Sequence, residues 1–474
     1  MPASATWARV INVAADGTGE YPSIQAAIDA SSGGDEVVLA QGVFTGAGNE
    51  NLDFKGKAIT VRSSNPADPQ VVANTRMQGV PTYATRAHGF VFRTGEGRDS
   101  VLDGVQIETF YSSDEICNGQ LFSSGGGVYI LEASPTIRRC IFYRDRSDWW
   151  GGGIFSNGGN PLIADCTFIE CIETVTQGVG GGAIFCEDSP GIEIRRCTFI
   201  DNQAYNGAAI YIRNTPTVIS HCKIQGGYAS NFGGAVRLFL NAQVTISDCL
   251  LTHNDASAGG GGISCYGTTL DLSGCTVAYN SAGSSGGGGI RCVSSSNVTA
   301  ANLVLWGNTS SVGSQAAVQG SSTLAVSYAD VQNSQAGISV SSGNTLNWGA
   351  GNIGQDPLFV AVDTGNWQNS NCHLQGTSPC RNTGNPAYAA GTGETDIDGQ
   401  PRIVAGRVDM GSDEYTRAGD CNGDDKVNAL DLQIMARSWN KTSSQMGYDP
   451  RADLNADKTV NVLDLQLMAA NWNT

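Results

Sequence analysis

Residues 181–202 read GGAIFCEDSPGIEIRRCTFIDN, and this stretch decides the fold because its pattern recurs along the chain. A glycine cluster followed by a β-branched residue returns every 26 to 30 residues. The β-branched residues of the successive copies are Val128, Ile154, Ile184, Ile210, Val236, Ile263 and Ile290, with a weaker copy at Val318. A period of this length is typical of one turn of a solenoid.

A second mark, a cysteine, follows each glycine cluster by about 12 residues. These cysteines are Cys140, Cys166, Cys197, Cys222, Cys249 and Cys275, and a further set is Cys186, Cys265 and Cys292. Apolar and polar residues alternate around the marks, which predicts short strands and not helices. Because no turn buries its apolar side alone, the turns must stack as parallel strands with the cysteines as small core side chains. Cys372 and Cys380 are predicted to form a disulfide.

Two further columns belong to the turns of the coil. The glycines mark a corner that needs positive φ. Five residues after the cysteines we expect a ladder of stacked polar side chains at a left-handed turn: Asp145, Asn202, Asn254, Asn280 and Asn308. The residues before the cysteines alternate in sign and predict charge pairing between turns: Arg139, Asp165, Arg196, His221 and Asp248.

The composition excludes several classes of protein. Sixty-two glycines among 474 residues, without a three-residue period, and 40% hydrophobic residues exclude collagen and disorder. A net charge of −17 argues against nucleic acid as a partner. No apolar run is long enough for a transmembrane helix. The start, MPASATWARV, has no apolar leader core, so the chain is either cytosolic or exported with its leader replaced by Met1; the C-terminal repeats favour a secreted or cell-surface protein.

The GGAI at 181–184 with the FIDN at 199–202 is similar to the right-handed parallel β-helix repeat of polymorphic outer-membrane and pectate-lyase-like proteins. The segment INVAADGTGEYPSIQAAIDASSGG resembles the first turns of pectin-lyase-fold proteins, with a capping helix around Ile24, Ala27 and Ile28. The resemblance implies a cap and first turns over 1–60, the β-helix over 61–345, a closing region over 346–416 and a last module over 417–474. It carries the fold and not a reaction.

The last module contains a duplication with an offset of 33 residues, in which ALDLQIMARSWN matches VLDLQLMAANWN. Each copy follows a loop with oxygen-bearing side chains at alternate positions, which is the pattern of a calcium loop. The first loop supplies Asp420, Asn422, Asp424, the carbonyl of Lys426, Asn428 and Asp431. The second supplies Asp453, Asn455, Asp457, the carbonyl of Thr459, Asn461 and Asp464. Loop position 6 is Asp425 or Lys458 where glycine is usual, which predicts a weaker second site.

This duplication resembles a dockerin, a module that binds a cohesin of another protein. The resemblance implies two Ca²⁺ ions and places partner-binding residues at Ala429, Leu430, Val462 and Leu463, which are apolar in both copies. Such a surface fits a cohesin-like protein or an intramolecular dock onto the β-helix. The alternative is a calcium-stabilised terminal cap without a partner.

The strands after the glycine corners predict a polysaccharide-binding face. If their β-branched residues point inward, the outward columns carry aromatic rings that suit sugar stacking. With the tryptophans before one corner, the predicted binding residues are Tyr129, Trp149, Trp150, Phe155, Phe185, Tyr211, Phe239 and Tyr266. Glu187, Arg213 and Arg237 lie among them and are the candidate catalytic residues. The alternative is a purely structural aromatic stack with a solvated ion pair.

Fold class and modules together predict a secreted polysaccharide-active protein with an all-β right-handed parallel β-helix and a small helical calcium module. The fold family that the chain resembles includes lyases of acidic polysaccharides, which use a Ca²⁺, and glycosidases, so a lyase or glycoside hydrolase of an acidic polysaccharide, with a further Ca²⁺ at a lyase site, is the sharper hypothesis. A non-catalytic adhesive or structural protein, assembled through the dockerin-like module, is the alternative. The sequence does not separate the two hypotheses.

Overall fold

The computed structural model describes residues 8–79, 86–112, 114–117, 120–174, 180–364, 366–404, 406–422, 424, 426–442, 445, 447–454 and 457–472. Within them the chain winds into a parallel β-helix whose strands form four ladders, called sheets 1 to 4 here. Each strand pairs in parallel with the corresponding strand one turn away, as Ile184 does with Ile210. The predicted all-β solenoid is confirmed.

Sheet 1 contains the strands that follow the glycine corners: Leu52–Asp53, Phe90–Phe92, Val128–Leu131, Ile154–Asn157, Ile184–Glu187, Ile210–Arg213, Val236–Phe239, Ile263–Tyr266, Ile290–Val293, Ala316–Val318 and Ile338–Val340. Sheet 2 precedes the cysteine marks: Val10–Val13, Glu36–Leu39, Thr60–Ser63, Val101–Asp103, Thr136–Arg138, Leu162–Ala164, Ile192–Arg195, Thr217–Ser220, Gln243–Ser247, Thr269–Ser273, Asn297–Ala301, Thr323–Ser327 and Thr345–Trp348.

Sheet 3 follows the cysteine marks: Gly42–Phe44, Thr75–Gln78, Gln106–Glu108, Ile141–Tyr143, Thr167–Ile169, Thr198–Ile200, Lys223–Gln225, Leu250–Thr252, Thr276–Ala278, Val304–Trp306 and Asp330–Val331. Sheet 4 is short: Arg146–Ser147, Ile172–Glu173, Gln203–Asn206, Tyr228–Phe232, Asp255–Ala256 and Ser281–Ala282. Two antiparallel pairs join Asp114–Cys117 to Gln120–Ser123 and Phe359–Ala361 to Asn371–Leu374.

The helices lie outside the ladders. They are α1 at Ile24–Ala30, α2 at Pro69–Asn74, α3 at Ala429–Ser438 and α4 at Val462–Ala470, with single 3₁₀ turns at Ser334–Gly337, Trp367–Asn369 and Pro450–Ala452. As predicted, Ile24, Ala27 and Ile28 form the buried side of α1 and belong to the core. None of the helices in the described part of the chain is long and apolar enough to cross a membrane.

The repeat is visible in the packing of the core. The β-branched residues of sheet 1 and the cysteine columns point inward and are fully buried. Phe142, Phe168 and Phe199 stack on one another with ring centroids 4.5 and 4.9 Å apart. At the corner before Ile184, Gly181 has φ +82°, and a Cβ there would lie 2.7 Å from the Ile184 carbonyl oxygen. A glycine is therefore required at that corner.

The predicted ladder at the second turn is present for Asn254, Asn280 and Asn308. Cys171 and Gly227 occupy the equivalent positions in the turns on either side of Asn202, so Asp145 and Asn202 do not stack on other members. The Asn254 Nδ2 donates to Asn280 Oδ1 at 2.9 Å, and Asn280 Nδ2 donates to Asn308 Oδ1 at 3.0 Å. The predicted left-handed backbone is displaced by one residue, since it is His253 and Tyr279, just before the ladder asparagines, that have φ +57°. Each asparagine keeps an ordinary backbone because its side chain must point inward to meet its copy.

The closing region packs against the outer face of sheet 3 through a small apolar cluster that includes Phe359, Leu374 and Met410. Its buried Arg402 forms salt bridges to Asp248 at 2.9 Å and to Glu414 at 2.8 Å. The predicted charge pairing between turns is confirmed at Arg196 and Asp165, 2.6 Å apart. Asp248 pairs instead with the closing region.

The predicted disulfide between Cys372 and Cys380 is wrong, because both residues carry free thiols. The Cys380 thiol lies 3.2 Å from Asp330 Oδ2 and donates to it. Burial raises the pKa of both thiols, that of Cys372 to about 12, so both sulfurs stay protonated.

Asp145, at the equivalent position two turns before Asn202, carries a carboxyl group. The Oδ1 atom accepts from the Phe110 amide at 2.9 Å, but Oδ2 has no hydrogen-bond partner among the described residues. Burial raises the pKa of Asp145 well above its usual value. In the copies below, the corresponding atom is the amide nitrogen, and in Asn254 it donates to the Ile224 carbonyl in the turn before.

We predict that Asp145→Asn stabilises the β-helix. The new amide should donate to a carbonyl of the preceding turn and raise the free energy of unfolding at pH 7 by about 1–3 kcal/mol. The folded-state pKa of Asp145 lies above the unfolded value of 3.8. The protonated side chain is therefore favoured in the folded state, and the free energy of unfolding of the parent falls as the pH rises and Asp145 ionises. The gain should therefore grow from about pH 4 upward in urea unfolding. Asn254→Asp is the converse control; equal stability of Asp145→Asn and the parent at pH 7 contradicts this account.

Candidate functional site

Sheet 1 presents two outward columns, as its alternation predicts. The pairing places Phe185 beside Tyr211 and Tyr211 beside Arg237 in one column, and Glu187 beside Arg213 in the other. The outward rings form an apolar cluster of their own, separate from the core inside the coil. The predicted direction of these side chains is confirmed.

Their predicted exposure is wrong for the first half of the column. Tyr129, Phe155 and Phe185 are at most 1% exposed, and Trp150 and Tyr211 are 7% and 3% exposed. Trp150 stacks over two of these rings, with centroids 5.7 Å from Phe155 and 5.4 Å from Phe185. The rings are thus covered by a side chain from the turn before the strand, and Trp149 is half-buried beside them. In this structure these ring faces are not open to a sugar.

A cleft opens where this aromatic cover ends. Its volume is about 520 Å³, and it is lined by Asn206, Tyr211, Arg213, Asn231, Phe232, Arg237, Phe239, Tyr266 and Arg291. Phe239 and Tyr266 are half-buried, so these two predicted binding residues do reach the cleft. The cleft crosses four successive strands of sheet 1, from Ile210–Arg213 to Ile290–Val293. It therefore runs along the axis of the coil.

Arg237 lies at the floor of the cleft and is 4% exposed. Its guanidinium donates to Ser264 Oγ and lies 5.1 Å from the Phe232 ring centroid and 5.4 Å from that of Phe239. Burial lowers the pKa of Arg237 to about 10. The guanidinium is thus partly desolvated and held mainly by aromatic faces and a hydroxyl group.

Arg291 also contacts Phe232, with its guanidinium 4.7 Å from the ring centroid. It donates to the Ser285 carbonyl and to Gln319 Oε1, each at 3.3 Å. Among the residues that the structure describes, neither Arg237 nor Arg291 has a carboxylate within salt-bridge distance. Two buried cations without a carboxylate partner among these residues make an anion a chemically suitable ligand for the cleft.

The other two candidate catalytic residues form a pair at the edge of the cleft. Arg213 Nη1 lies 3.3 Å from Glu187 Oε2, and Asn157 donates to the other oxygen of Glu187 at 3.3 Å. Burial raises the pKa of Glu187, and Arg213 partly opposes that shift. The structure therefore brings Glu187 and Arg213 together, whereas Arg237 stands apart on the adjacent strand.

Four lining residues were missed as site residues by the sequence reasoning: Asn206, Asn231, Phe232 and Arg291. Phe232 directly precedes the corner glycine Gly233, the same place that Trp150 occupies before Gly151. A large ring directly before a corner glycine was therefore a sequence signal that could have identified Phe232 as a site residue. Arg291 continues the outward column of Arg237, and only its burial and lack of a carboxylate partner distinguish it from an ordinary surface arginine.

A cluster of carboxylates for a metal ion is absent from the described lining of the cleft. Outside the calcium loops, three potential metal-ligating side chains with ligand atoms within 4.8 Å of one another occur in the closing region: His373, Asp398 and Asp413. Lys223 Nζ lies 2.9 Å from Asp398 Oδ1 there, and His373 pairs with the same carboxylate. The predicted Ca²⁺ at the cleft thus has no ligand set among these residues.

The two calcium loops of the last module have closely matching local geometry. Asp431 and Asp464, at loop position 12, are fully buried and cap α3 and α4 together with Asn428 and Asn461. In the first loop, Asp420 Oδ1 accepts from the Asp424 amide at 3.2 Å; in the second, Asp453 Oδ1 accepts from the Asp457 amide at 3.1 Å. These acidic side chains fold the loops inward around an oxygen-rich centre that suits Ca²⁺. Asn455 lies outside the described residues.

The predicted partner-binding residues lie at the start of each helix of this module. Ala429 is exposed, and Leu430, Val462 and Leu463 are 53%, 55% and 50% exposed. The intramolecular dock onto the β-helix through these side chains is therefore wrong. They form two equivalent apolar surfaces on α3 and α4.

Comparison with known proteins agrees with this architecture. Residues 86–230 match the family described as right handed beta helix region, and residues 418–472 match the dockerin type I domain. The chain thus contains a right-handed parallel β-helix followed by a C-terminal dockerin. No curated protein matches the chain.

Among solved structures, a pectate lyase, Pel9A, is 13% identical with a TM-score of 0.47, and the match covers 86% of this chain and 96% of that one. An alginate lyase, AlyF, is 12% identical with a TM-score of 0.45, covering 83% and 93%. A rhamnogalacturonan lyase is 12% identical with a TM-score of 0.39, covering 75% and 91%.

Proposed function

We propose that the cleft binds an anionic polysaccharide and that the dockerin attaches the protein to an extracellular assembly. The observation that carries the proposal is the pair of buried guanidiniums, Arg237 and Arg291, without carboxylate partners among the described residues. Aromatic rings and amides complete the lining. Tyr266 and Phe239 can pack against the apolar faces of sugars, and Asn206 and Asn231 can hydrogen-bond to sugar hydroxyl groups. The length of the cleft along the coil suits a chain molecule.

The presence of a dockerin supports an extracellular location and binding to another protein. Its apolar residues Leu430 and Leu463 are exposed at equivalent positions of the two helices, so each helix offers a surface for a cohesin-like protein. The role of Tyr129, Phe155 and Phe185 in sugar binding stays a prediction, and their burial favours a structural role.

We expect loss of polysaccharide binding when the cleft guanidiniums are removed. Arg237→Gln and Arg291→Gln should each weaken binding of a uronate polymer by about tenfold or more, because each removes a charge-assisted hydrogen bond. Affinity electrophoresis against a panel of uronate polymers measures the effect. Arg144→Gln, an exposed arginine paired with Glu170, is the matched control. If the parent protein binds no anionic polymer, the proposed function is wrong.

A second candidate function is β-elimination at the same cleft, favoured by the lowered pKa of Arg237. In this reaction the neutral guanidine of Arg237 takes the proton at C5 of a uronate. The electron pair forms the C4–C5 double bond, and the glycosidic oxygen at C4 leaves with a proton. Tyr211 lines the cleft, and burial raises its pKa to about 12, so it is protonated and suits the role of acid.

This candidate predicts a particular pH dependence. Since only neutral Arg237 acts as base, the rate should rise about tenfold per pH unit and level off near its pKa of about 10. The ultraviolet absorbance of the unsaturated product measures the rate, and Arg237→Lys should retain part of it. Binding without any unsaturated product at high pH would leave the non-catalytic, adhesive function in place.

We further propose that the dockerin binds two Ca²⁺ ions and that the second loop is strained. Lys458 has φ +70°, a left-handed conformation that costs a non-glycine residue roughly 1–2 kcal/mol. Its amide still donates to Asp453 Oδ2 at 2.8 Å, so the loop keeps the turn in spite of the side chain.

Lys458→Gly should therefore tighten the weaker calcium site by about tenfold, as the strain is removed from the bound state. Calorimetric titration of the calcium-free protein separates the two sites. Lys426→Gly removes the same charge at a loop position without positive φ and should not tighten either site. Equal affinities for the parent and Lys458→Gly would show that Lys458 does not limit calcium binding.

A further inference from the structure

The two cations of the cleft are fixed two turns apart by the register of sheet 1. Arg237 pairs with Ser264, and Ser264 pairs with Arg291, so the three residues form one column. Adjacent strands of a sheet are about 4.8 Å apart, which places the backbones of the two arginines roughly 10 Å apart along the coil axis. An extended pyranose residue is of similar length to one strand spacing.

The third arginine does not fill the gap between them. Arg213 lies in the neighbouring column, on the strand before Arg237, and its charge is balanced by Glu187 at 3.3 Å. The cations available for a ligand are thus Arg237 and Arg291, with one turn of the coil between them.

The intervening turn offers neutral groups. Ser264 is fully buried, and its hydroxyl accepts from Arg237. The Phe232 ring contacts both guanidiniums, with its centroid 5.1 Å from that of Arg237 and 4.7 Å from that of Arg291. Tyr266, on the same strand as Ser264, turns its half-buried ring into the cleft. This turn suits a neutral sugar whose apolar face packs on a ring.

We propose that the preferred ligand is an alternating polysaccharide, in which an anionic sugar and a neutral sugar follow one another. This inference rests on the proposed function, since it assumes that the cleft binds an anionic polysaccharide. Two anionic sugars reach Arg237 and Arg291, and the neutral sugar between them lies over Phe232 and Ser264.

A homopolymer of anionic sugars fits this arrangement less well. Its middle carboxylate would face Phe232, whose ring face is itself electronegative, at the Ser264 position, where the column carries no cation. Removing that carboxylate from water without a partner is unfavourable. The selectivity therefore arises from the missing cation at the Ser264 position.

The experiment compares oligosaccharides of equal length on the full-length protein. Hyaluronan and unsulfated chondroitin hexasaccharides alternate a uronate with a neutral amino sugar, and oligogalacturonate hexasaccharide carries a uronate at every residue. We expect calorimetry to give at least one alternating ligand about tenfold tighter binding than the homopolymer. A uronate–neutral–uronate trisaccharide should retain most of that affinity, whereas a disaccharide with one uronate should lose it.

Variants connect the preference to the two arginines. Arg291→Gln should lower the affinity for the alternating trisaccharide to that of the disaccharide, and Arg144→Gln should leave it unchanged. If the homopolymer binds as tightly as both alternating ligands, this inference is overturned while the proposed function stands. If no anionic oligosaccharide binds, both are overturned.

Discussion

The stacking of each turn on the next through backbone hydrogen bonds is the constraint on which the rest of the molecule depends. Because strands pair in register, the nearest neighbours of a side chain are its own copies one turn away. Apolar residues, flat rings and asparagines tolerate such neighbours, since an asparagine has both a donor and an acceptor. A carboxylate has no donor, which is why Asp145 has an oxygen without a partner among the described residues, where the Asn254 amide donates to the Ile224 carbonyl.

The same constraint explains what could be predicted from the sequence. The period and the inward positions are properties of the repeat, so the coil, the cysteine columns and the asparagine ladder follow from Ile184, Cys197 and Asn254 and their copies. The two calcium loops follow in the same way from their duplication. The outward direction of Tyr129 and Phe185 was predictable too, because alternation in a strand decides it.

What lies over an outward side chain was not predictable, since the cover comes from residues outside the repeat. Trp150 buries Phe155 and Phe185 from the turn before the strand, and the closing region brings Arg402 to Asp248 from 154 residues away. Cys372 and Cys380 are near in sequence, but their spacing did not indicate that the Asp330 carboxylate accepts a hydrogen bond from the Cys380 thiol. Contacts between residues so far apart in the sequence are revealed only by the three-dimensional structure.

The cleft shows why the net charge of a chain is a poor guide to its ligand. The overall charge of −17 argues against an anionic polymer, yet seven of the 44 acids lie in the calcium loops, where bound Ca²⁺ would offset part of their charge. Charges separated by more than about 8 Å of physiological salt solution are largely screened from one another. Arg237 and Arg291 are buried and screened much less, so a ligand in the cleft responds chiefly to them and not to the acidic loops. The local field, set by the two unbalanced guanidiniums and the neutral turn between them, therefore decides which ligand the cleft accepts.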